Sequence, residues 1–480
     1  MRRLLIVASL MLAGCVLGPD YQRPEVAAAA SFQYVTRDVV DTLWWKQFDD
    51  PLLNSLIDEA LAHNSNIAIA AANVEQAAAL LPQVRSALFP QIGYGASAAR
   101  ERGREPAFAA QLPNYPNPSS AYQAGISASW KIDLWGRVQR QSEATLANVL
   151  ATNEARRGVV LSLVAAVANG YLQLRGLDAQ LVVARQTLQT YAESVDLFKL
   201  QFKYGQVSQM NVAQAESQYE SAAAQIPLLE SNIAQTQNSL AVLVGRNPGP
   251  IARGKAIDQL TLPAVPAGLP SQLLERRPDL LQSEQQLIAA NAQIGAAKAL
   301  YFPAISLTGS FGYASAELTK LFTGPARVWS YAGSLAGPIF TFGAVSGQVT
   351  QAEAAQRAAL LSCQLAIRDA FADVDNALVA NSNISQQLQA QIRPVAALKE
   401  YAGLSRKLYE GGYADYSTVL QAEQALFPAE LNLMAIRAQL LASSVNIYKA
   451  MGGGWVTQAD RRSTGGGQPP PSTAGWPPLF

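Results

Sequence analysis

Residues 125–136 read Gly-Ile-Ser-Ala-Ser-Trp-Lys-Ile-Asp-Leu-Trp-Gly, and this stretch decides the fold. Ile126, Ala128, Trp130, Ile132 and Leu134 alternate with Ser127, Ser129, Lys131 and Asp133, a period of two that gives a strand one apolar and one polar face. At Gly136 the pattern stops. Residues 137–204 contain no proline and few glycines and are dominated by Ala, Gln, Glu, Leu and Arg. A helix of that length reaches roughly 100 Å at about 1.5 Å per residue, whereas globular helices average about 11–12 residues. Low charge and abundant Ala and Gln suit close coiled-coil packing. A break is expected near Gly170 or Gly176, and a reversal at Tyr204-Gly205. The returning helix runs through Gln214-Ala215-Glu216 to Gly245.

The whole pattern is then repeated. Phe89-Pro90 recurs as Phe302-Pro303 at an offset of 213. Gly136, Gly205, Gln214-Ala215-Glu216 and Gly245 recur as Gly343, Gly412, Gln421-Ala422-Glu423 and Gly452 at an offset of 207. The difference falls in a polar, proline-rich stretch between Pro90 and Gly136, as expected of a surface loop. Each unit reads as helix, strand, loop, strand and long helical hairpin. Pro227 and Pro428 interrupt the returning helices, where kinks are expected.

Strands are expected at about 88–100, 120–135, 302–314 and 328–342. The third alternates as clearly as the second, with Ile305, Leu307 and Phe311 against Ser306, Thr308 and Ser310; the first and fourth alternate more weakly. Such strands suit a half-buried soluble sandwich or a membrane barrel. Aromatics near their ends (Phe89, Tyr122, Trp135, Phe302, Trp329, Phe340) lean toward interfacial girdles. Four strands cannot close a barrel, since the smallest bacterial ones use about eight. Strands that span a membrane here must be shared between chains.

The N-terminus carries Arg2 and Arg3, a short apolar run, and then Leu12-Ala13-Gly14-Cys15. This is a secretory signal ending in a lipobox, too short to be kept as an anchor, so 1–14 is expected to be removed and Cys15 to carry lipid. Val16 stands where an inner-membrane retention signal would have Asp. The other cysteine, Cys363, lies in a helical segment and reads as a small core residue. A net charge of +1 with no basic run argues against nucleic acid. Hydrophobic residues make up 49% of the chain, yet no later unbroken apolar run reaches about eighteen residues.

Further motifs carry a family resemblance. They are Gly18-Pro19-Asp20-Tyr21 with Arg23-Pro24; Trp44-Trp45-Lys46-Gln47-Phe48-Asp49-Asp50-Pro51-Leu52; Glu275-Arg276-Arg277-Pro278-Asp279-Leu280; the run 289–295 leading to Phe302-Pro303; and Tyr448-Lys449-Ala450-Met451-Gly452-Gly453-Gly454-Trp455. In this order, inside a duplicated unit, the chain resembles the TolC-type outer-membrane factors of tripartite efflux pumps, and within them the NodT-like lipoprotein branch. The resemblance implies a mixed α and transmembrane-β fold: a homotrimer with one twelve-stranded barrel continued by a periplasmic α-helical tunnel. It implies a passive exit duct for small molecules, lipid-anchored in the outer membrane and not an enzyme. Its partners would be a periplasmic adaptor and an inner-membrane resistance-nodulation-division transporter. Segments 44–61 and 245–269 would pack as an equatorial belt. Two alternatives are a trimeric duct for protein secretion and a lipid-anchored coiled coil without a channel. The lipobox and Gly-Pro-Asp-Tyr argue against the former.

The expected division is a signal peptide over 1–14, an anchor and equatorial segment over 15–65, a first repeat over 66–249, a linker over 250–278, a second repeat over 279–455 and a disordered tail over 456–480. No metal cluster, nucleophile-base set or cofactor motif is read, and the covalent lipid on Cys15 is the only non-protein group expected. His63, the single histidine, reads as a surface or belt residue. Glu275 to Asp279 reads as an ion-pair and capping cluster, because Pro278 is suited to start a helix. The functional candidates are at the second reversal. Relatives carry there an apolar residue and, one turn later, an aspartate at the narrowest point; this chain has Ser417 and Gln421. The resemblance assigns the aperture to Tyr409, Asp415, Ser417 and Gln421, with Asp415 or Glu423 supplying its negative charge and Tyr409 bridging helices. Coiled-coil packing is the plain alternative for Ser417 and Gln421.

Overall fold

A computed structural model describes residues 16–23, 43–102, 118–263 and 274–453. Cys15, the signal segment 1–14 and the tail 456–480 lie outside the described residues. The elements are α1 (Pro51–His63), α2 (Ser65–Ser86), β1 (Gln91–Glu101), β2 (Ser119–Ile132), α3 (Arg137–Lys203), α4 (Gln209–Leu243), α5 (Pro278–Lys298), β3 (Ala304–Ser315), β4 (Arg327–Ala336), α6 (Ala344–Glu410) and α7 (Tyr416–Ala450). The described residues form two compact units, one of 16–23, 73–102, 118–152 and 282–363, the other of 43–72, 153–263, 274–281 and 364–453.

The first unit holds one antiparallel sheet in the order β1-β2-β3-β4, so β1 and β4 are each paired on one side only. Its register runs without a bulge: Tyr94 faces Ile126, Ile126 faces Phe311, and Phe311 faces Trp329. Ile92, Tyr94, Trp130, Leu307, Tyr331 and Leu335 share that face. The opposite face carries Ser97, Gln123, Ser127, Ser129, Thr308 and Ser310, with Ser306–Ser334 and Ser310–Ser330 hydroxyl pairs at 2.7 and 2.8 Å. Both faces are open on the outer strands, and on the apolar one Ile92, Tyr94, Trp329, Tyr331 and Leu335 are 65–93% exposed. Each side chain of this size forgoes about 1.5–3 kcal/mol when left in water. This surface therefore needs a nonaqueous cover.

Two indoles fasten the helix-side end of the sheet. Trp130 donates Nε1–H to the carbonyl of Leu88 at 2.8 Å, and Trp135 donates to that of Pro303 at 2.7 Å while stacking on Phe302 at 4.7 Å. The strands stop short of the sequence-based bounds because Trp135 turns back to Pro303 and because Gly337 and Pro338 follow β4, Pro338 having no N–H for a ladder. The segment 16–23 is strapped onto this unit. Arg140 donates to the carbonyl of Leu17 at 3.1 Å and to Asp20 at 2.8 Å, while Tyr21 and Arg23 donate to Glu284. A Cβ on Gly18 would stand 2.4 Å from the Gly295 Cα, so both glycines are needed for this approach.

In the second unit, Trp44, Trp45, Phe48, Leu53 and Ile57 are buried in one core with Val160, Val164, Tyr171, Ile251 and Ile257. Trp44 stacks on Tyr448 at 5.2 Å. Asp50 is fully buried and satisfied: it caps α1 through the Leu52 N–H at 2.9 Å and accepts from the Tyr171 hydroxyl at 2.6 Å and the Lys255 N–H at 3.1 Å. Arg277, just ahead of Pro278, binds Asp279 at 2.6 Å, Asp373 at 3.0 Å and the Ala450 carbonyl at 2.9 Å, which accounts for the charged cluster as an ion-pair hub. His63 ends α1 exposed, and Cys363 is a buried free thiol.

One expectation is corrected: α3 is unbroken over 67 residues. Gly170 and Gly176 are packing glycines, since a Cβ would come within 2.9 Å of Leu240 and 2.6 Å of Ala438 respectively. Pro227 and Pro428 lie inside α4 and α7 without dividing them. The helical stretches Pro51–Ser86 and Arg137–Lys203 are apolar enough by length and composition to cross a membrane, although neither contains an unbroken apolar run. The former is divided by Asn64, whose side chain caps α2 through Asn66 and Ile67. Of the apolar window in the latter, 56% is already buried against protein.

Candidate aperture at the helical reversals

Both reversals are built alike. The Gly205 N–H bonds the Phe202 carbonyl at 2.9 Å and the Gln206 N–H the Gln201 carbonyl at 2.9 Å; Gly412 with Tyr409 and Tyr413 with Leu408 repeat this at 2.9 and 2.8 Å. These are Schellman caps, which place the residue after the helix in the left-handed region that glycine occupies freely. Gly205 and Gly412 have φ of 69° and 75°, and the other duplicated pairs, Gly136 with Gly343 and Gly245 with Gly452, also have positive φ.

Inside the turn, Phe198, Val212, Ala215, Tyr416, Val419 and Leu420 form a buried cluster. Phe198 and Tyr416 rings lie 4.0 Å apart, and Tyr409 sits 5.6 Å from Tyr416. Tyr409 donates its hydroxyl to Gln201 Oε1 at 3.0 Å, so it bridges α6 to α3 within the protomer. On the opposite side of α7, Ser417, Gln421 and Gln424 are exposed at helical spacing i, i+4, i+7, one uncharged stripe. Asp415 precedes the helix as N-cap residue, exposed and without a side-chain cap bond.

Glu423 does not join that stripe. It is buried, and its Oε1 accepts from Arg406 Nη2 at 2.7 Å, while Oε2 has no hydrogen-bond partner among the described residues. It lines a crevice of about 270 Å³ with Tyr191, Gly403, Phe427 and Glu430. Tyr191 donates to the Glu423 carbonyl at 3.3 Å. Burial raises the Glu423 carboxyl above the usual carboxylate range despite the opposing Arg406. Burial, and then the Glu423 charge, push the Tyr416 phenol up to about 12. The negative charge expected from Glu423 is thus directed inward, leaving Asp415 at the start of the exposed stripe.

The Arg406–Glu423 pair is what sequence reasoning missed. A signal was present, because the offset of 207 maps Lys199 and Glu216 onto Arg406 and Glu423. Lys199 and Glu216 also pair, at 2.9 Å, but both side chains are about half exposed. Among the described residues no group of acidic, histidine or cysteine side chains could hold a metal ion.

The model of the family described as outer membrane efflux protein matches residues 56–246 and 269–453. The toluene efflux pump outer membrane protein TtgC of Pseudomonas putida is 36% identical over 466 residues, 95% of this chain and 96% of that protein. The cation efflux system protein CusC of Escherichia coli is 32% identical over 456 residues, 93% of this chain and 97% of that one. The open state of the Neisseria gonorrhoeae MtrE outer membrane channel has a similar structure, with a TM-score of 0.83 at 32% identity, over 92% of this chain and 99% of that one.

Proposed function

The chain belongs to the outer membrane efflux protein family, and from that premise we propose that three copies assemble into one exit duct, each giving four strands to a twelve-stranded barrel. The protein is the outer-membrane channel of an efflux pump. The trimer is supported by one observation above all: a bare apolar sheet face that ends in two unpaired edges. Backbone groups left unpaired in hydrocarbon cost several kcal/mol each, so an open four-stranded sheet has to close with other copies.

In this duct the apolar face meets lipid, the serine-rich face lines water, and the long helices continue the tunnel into the periplasm. Lipid on Cys15 supplies the anchor. Ser417 and Gln421, with Gln424, form the aperture, Tyr409 bracing the turn behind them and Asp415 at its edge supplying, three-fold repeated, the negative charge of an otherwise uncharged ring. A periplasmic adaptor and an inner-membrane resistance-nodulation-division transporter complete the pump, and the transporter supplies the energy. The duct has no catalytic role. Cargo includes small organic molecules or metal ions, in keeping with the toluene and cation systems to which TtgC and CusC belong. The test is conductance of the purified protein in planar bilayers. Step-like openings support the duct, and a folded protein that never conducts contradicts it.

A further inference from the structure

The polar face of the sheet carries two charged side chains among its described strand residues. Glu101 is the last residue of β1, and Lys131 lies near the opposite, helix-side end on β2. Lys131 is paired in register with Ser306, whose hydroxyl meets Ser334 at 2.7 Å. It is exposed and forms no ion pair or hydrogen bond among the described residues. The nearest acid in sequence, Asp133, accepts instead from the Gln139 N–H at 2.9 Å, which ties its carboxylate to the start of α3. Between Lys131 and Glu101 this face offers serine, threonine, glutamine, Val328 and small residues, none able to neutralise the ammonium.

We infer that Lys131 is a specificity-determining residue of the duct: its three copies ring the helix-side mouth of the barrel and favour anionic over cationic solutes. The inference rests on the trimeric reading above. The register itself puts this charge on the serine-bearing face and not on the apolar one, where a lysine near an interface would cost about 0–1 kcal/mol. Rings of lysine or arginine are what anion-conducting pores use. Ser417, Gln421 and Gln424 add no carboxylate of their own, and the one acid at the start of that stripe, Asp415, lies at the helical reversal rather than on the sheet that carries Lys131. In an aqueous lumen the field of such a ring reaches about one Debye length, roughly 8–10 Å at ordinary ionic strength. The bias is therefore strongest in dilute salt.

The experiment measures the reversal potential of reconstituted trimers across a potassium chloride gradient, for wild type, Lys131→Gln, Lys131→Glu and Lys131→Arg. The expected result is a shift of the anion-to-cation permeability ratio toward cations, roughly twofold or more for Lys131→Glu in dilute salt, smaller for Lys131→Gln and shrinking as salt screens the ring. Lys131→Arg should match wild type. Lys131→Cys in the assembled protein should react with a charged, membrane-impermeant thiol reagent, with little background because Cys363 is buried. Conducting Lys131→Glu trimers with an unchanged reversal potential, or a Lys131→Cys thiol that the reagent does not reach, would overturn the inference. A wild-type protein that does not conduct overturns the duct itself, a distinguishable outcome.

Discussion

Arg406 holds Glu423 at 2.7 Å in the second hairpin, and 207 residues earlier Lys199 holds Glu216 at 2.9 Å in the first; one carboxylate is buried and the other is about half exposed. Duplication preserved the pair and changed its surroundings. Exposed pairs contribute about 0–1 kcal/mol, whereas a buried carboxylate deprived of its cation is costly. Glu216→Gln should leave stability within about 0.5 kcal/mol. Arg406→Met should cost about 1–3 kcal/mol, less than for a fully enclosed pair because the arginine is partly exposed. Thermal melts of the two purified variants check this, and equal effects would show that burial does not distinguish the pairs.

The same carboxyl sets a pH dependence. Folded Glu423 holds its proton more tightly than unfolded Glu423, so the native state carries more protons in the window from the unfolded value, about 4.3, up to the raised folded value. Stability therefore falls as pH rises through that window and returns on acidification. Glu423→Gln should flatten the slope. Melting temperature against pH for both proteins is the measurement, and a slope that survives the substitution would assign it to another group.

Gly176 sets two effects against each other. Ala is favoured over Gly in a helix interior by about 1 kcal/mol, yet a Cβ here would lie 2.6 Å from that of Ala438. Overpacking of this kind costs about 1–3 kcal/mol. Gly176→Ala should therefore destabilise the protein by about 0–2 kcal/mol net, and a raised melting temperature would refute the packing role.

Gln421→Asp would place an aspartate on the exposed stripe of α7, repeated three times in the proposed trimer. Such a ring should raise cation preference in single-channel recordings. An unchanged preference would remove Gln421 from the aperture.

Much of this was legible in the sequence because it is local. The alternation of 126–134 gave β2 its two faces, and the repeat spacing located both reversals, whose glycines do adopt positive φ. What escaped was decided by distant partners. Gly170 and Gly176 read as breaks because propensity registers only their cost, and Leu240 and Ala438, which require them, come from other helices. Glu423 read as available charge because Ser417 and Gln421 bring no acid to the aperture, yet Arg406, Tyr191 and Tyr416 enclose it. Strand ends shifted where Trp135 reaches across to Pro303.

The central claim is that a sheet with two open edges is completed by two further copies of the same chain. Native mass spectrometry of the protein released from detergent micelles tests it most directly. The account predicts a mass three times that of the mature chain, with no folded monomer. A folded monomer or dimer as the sole species would contradict it.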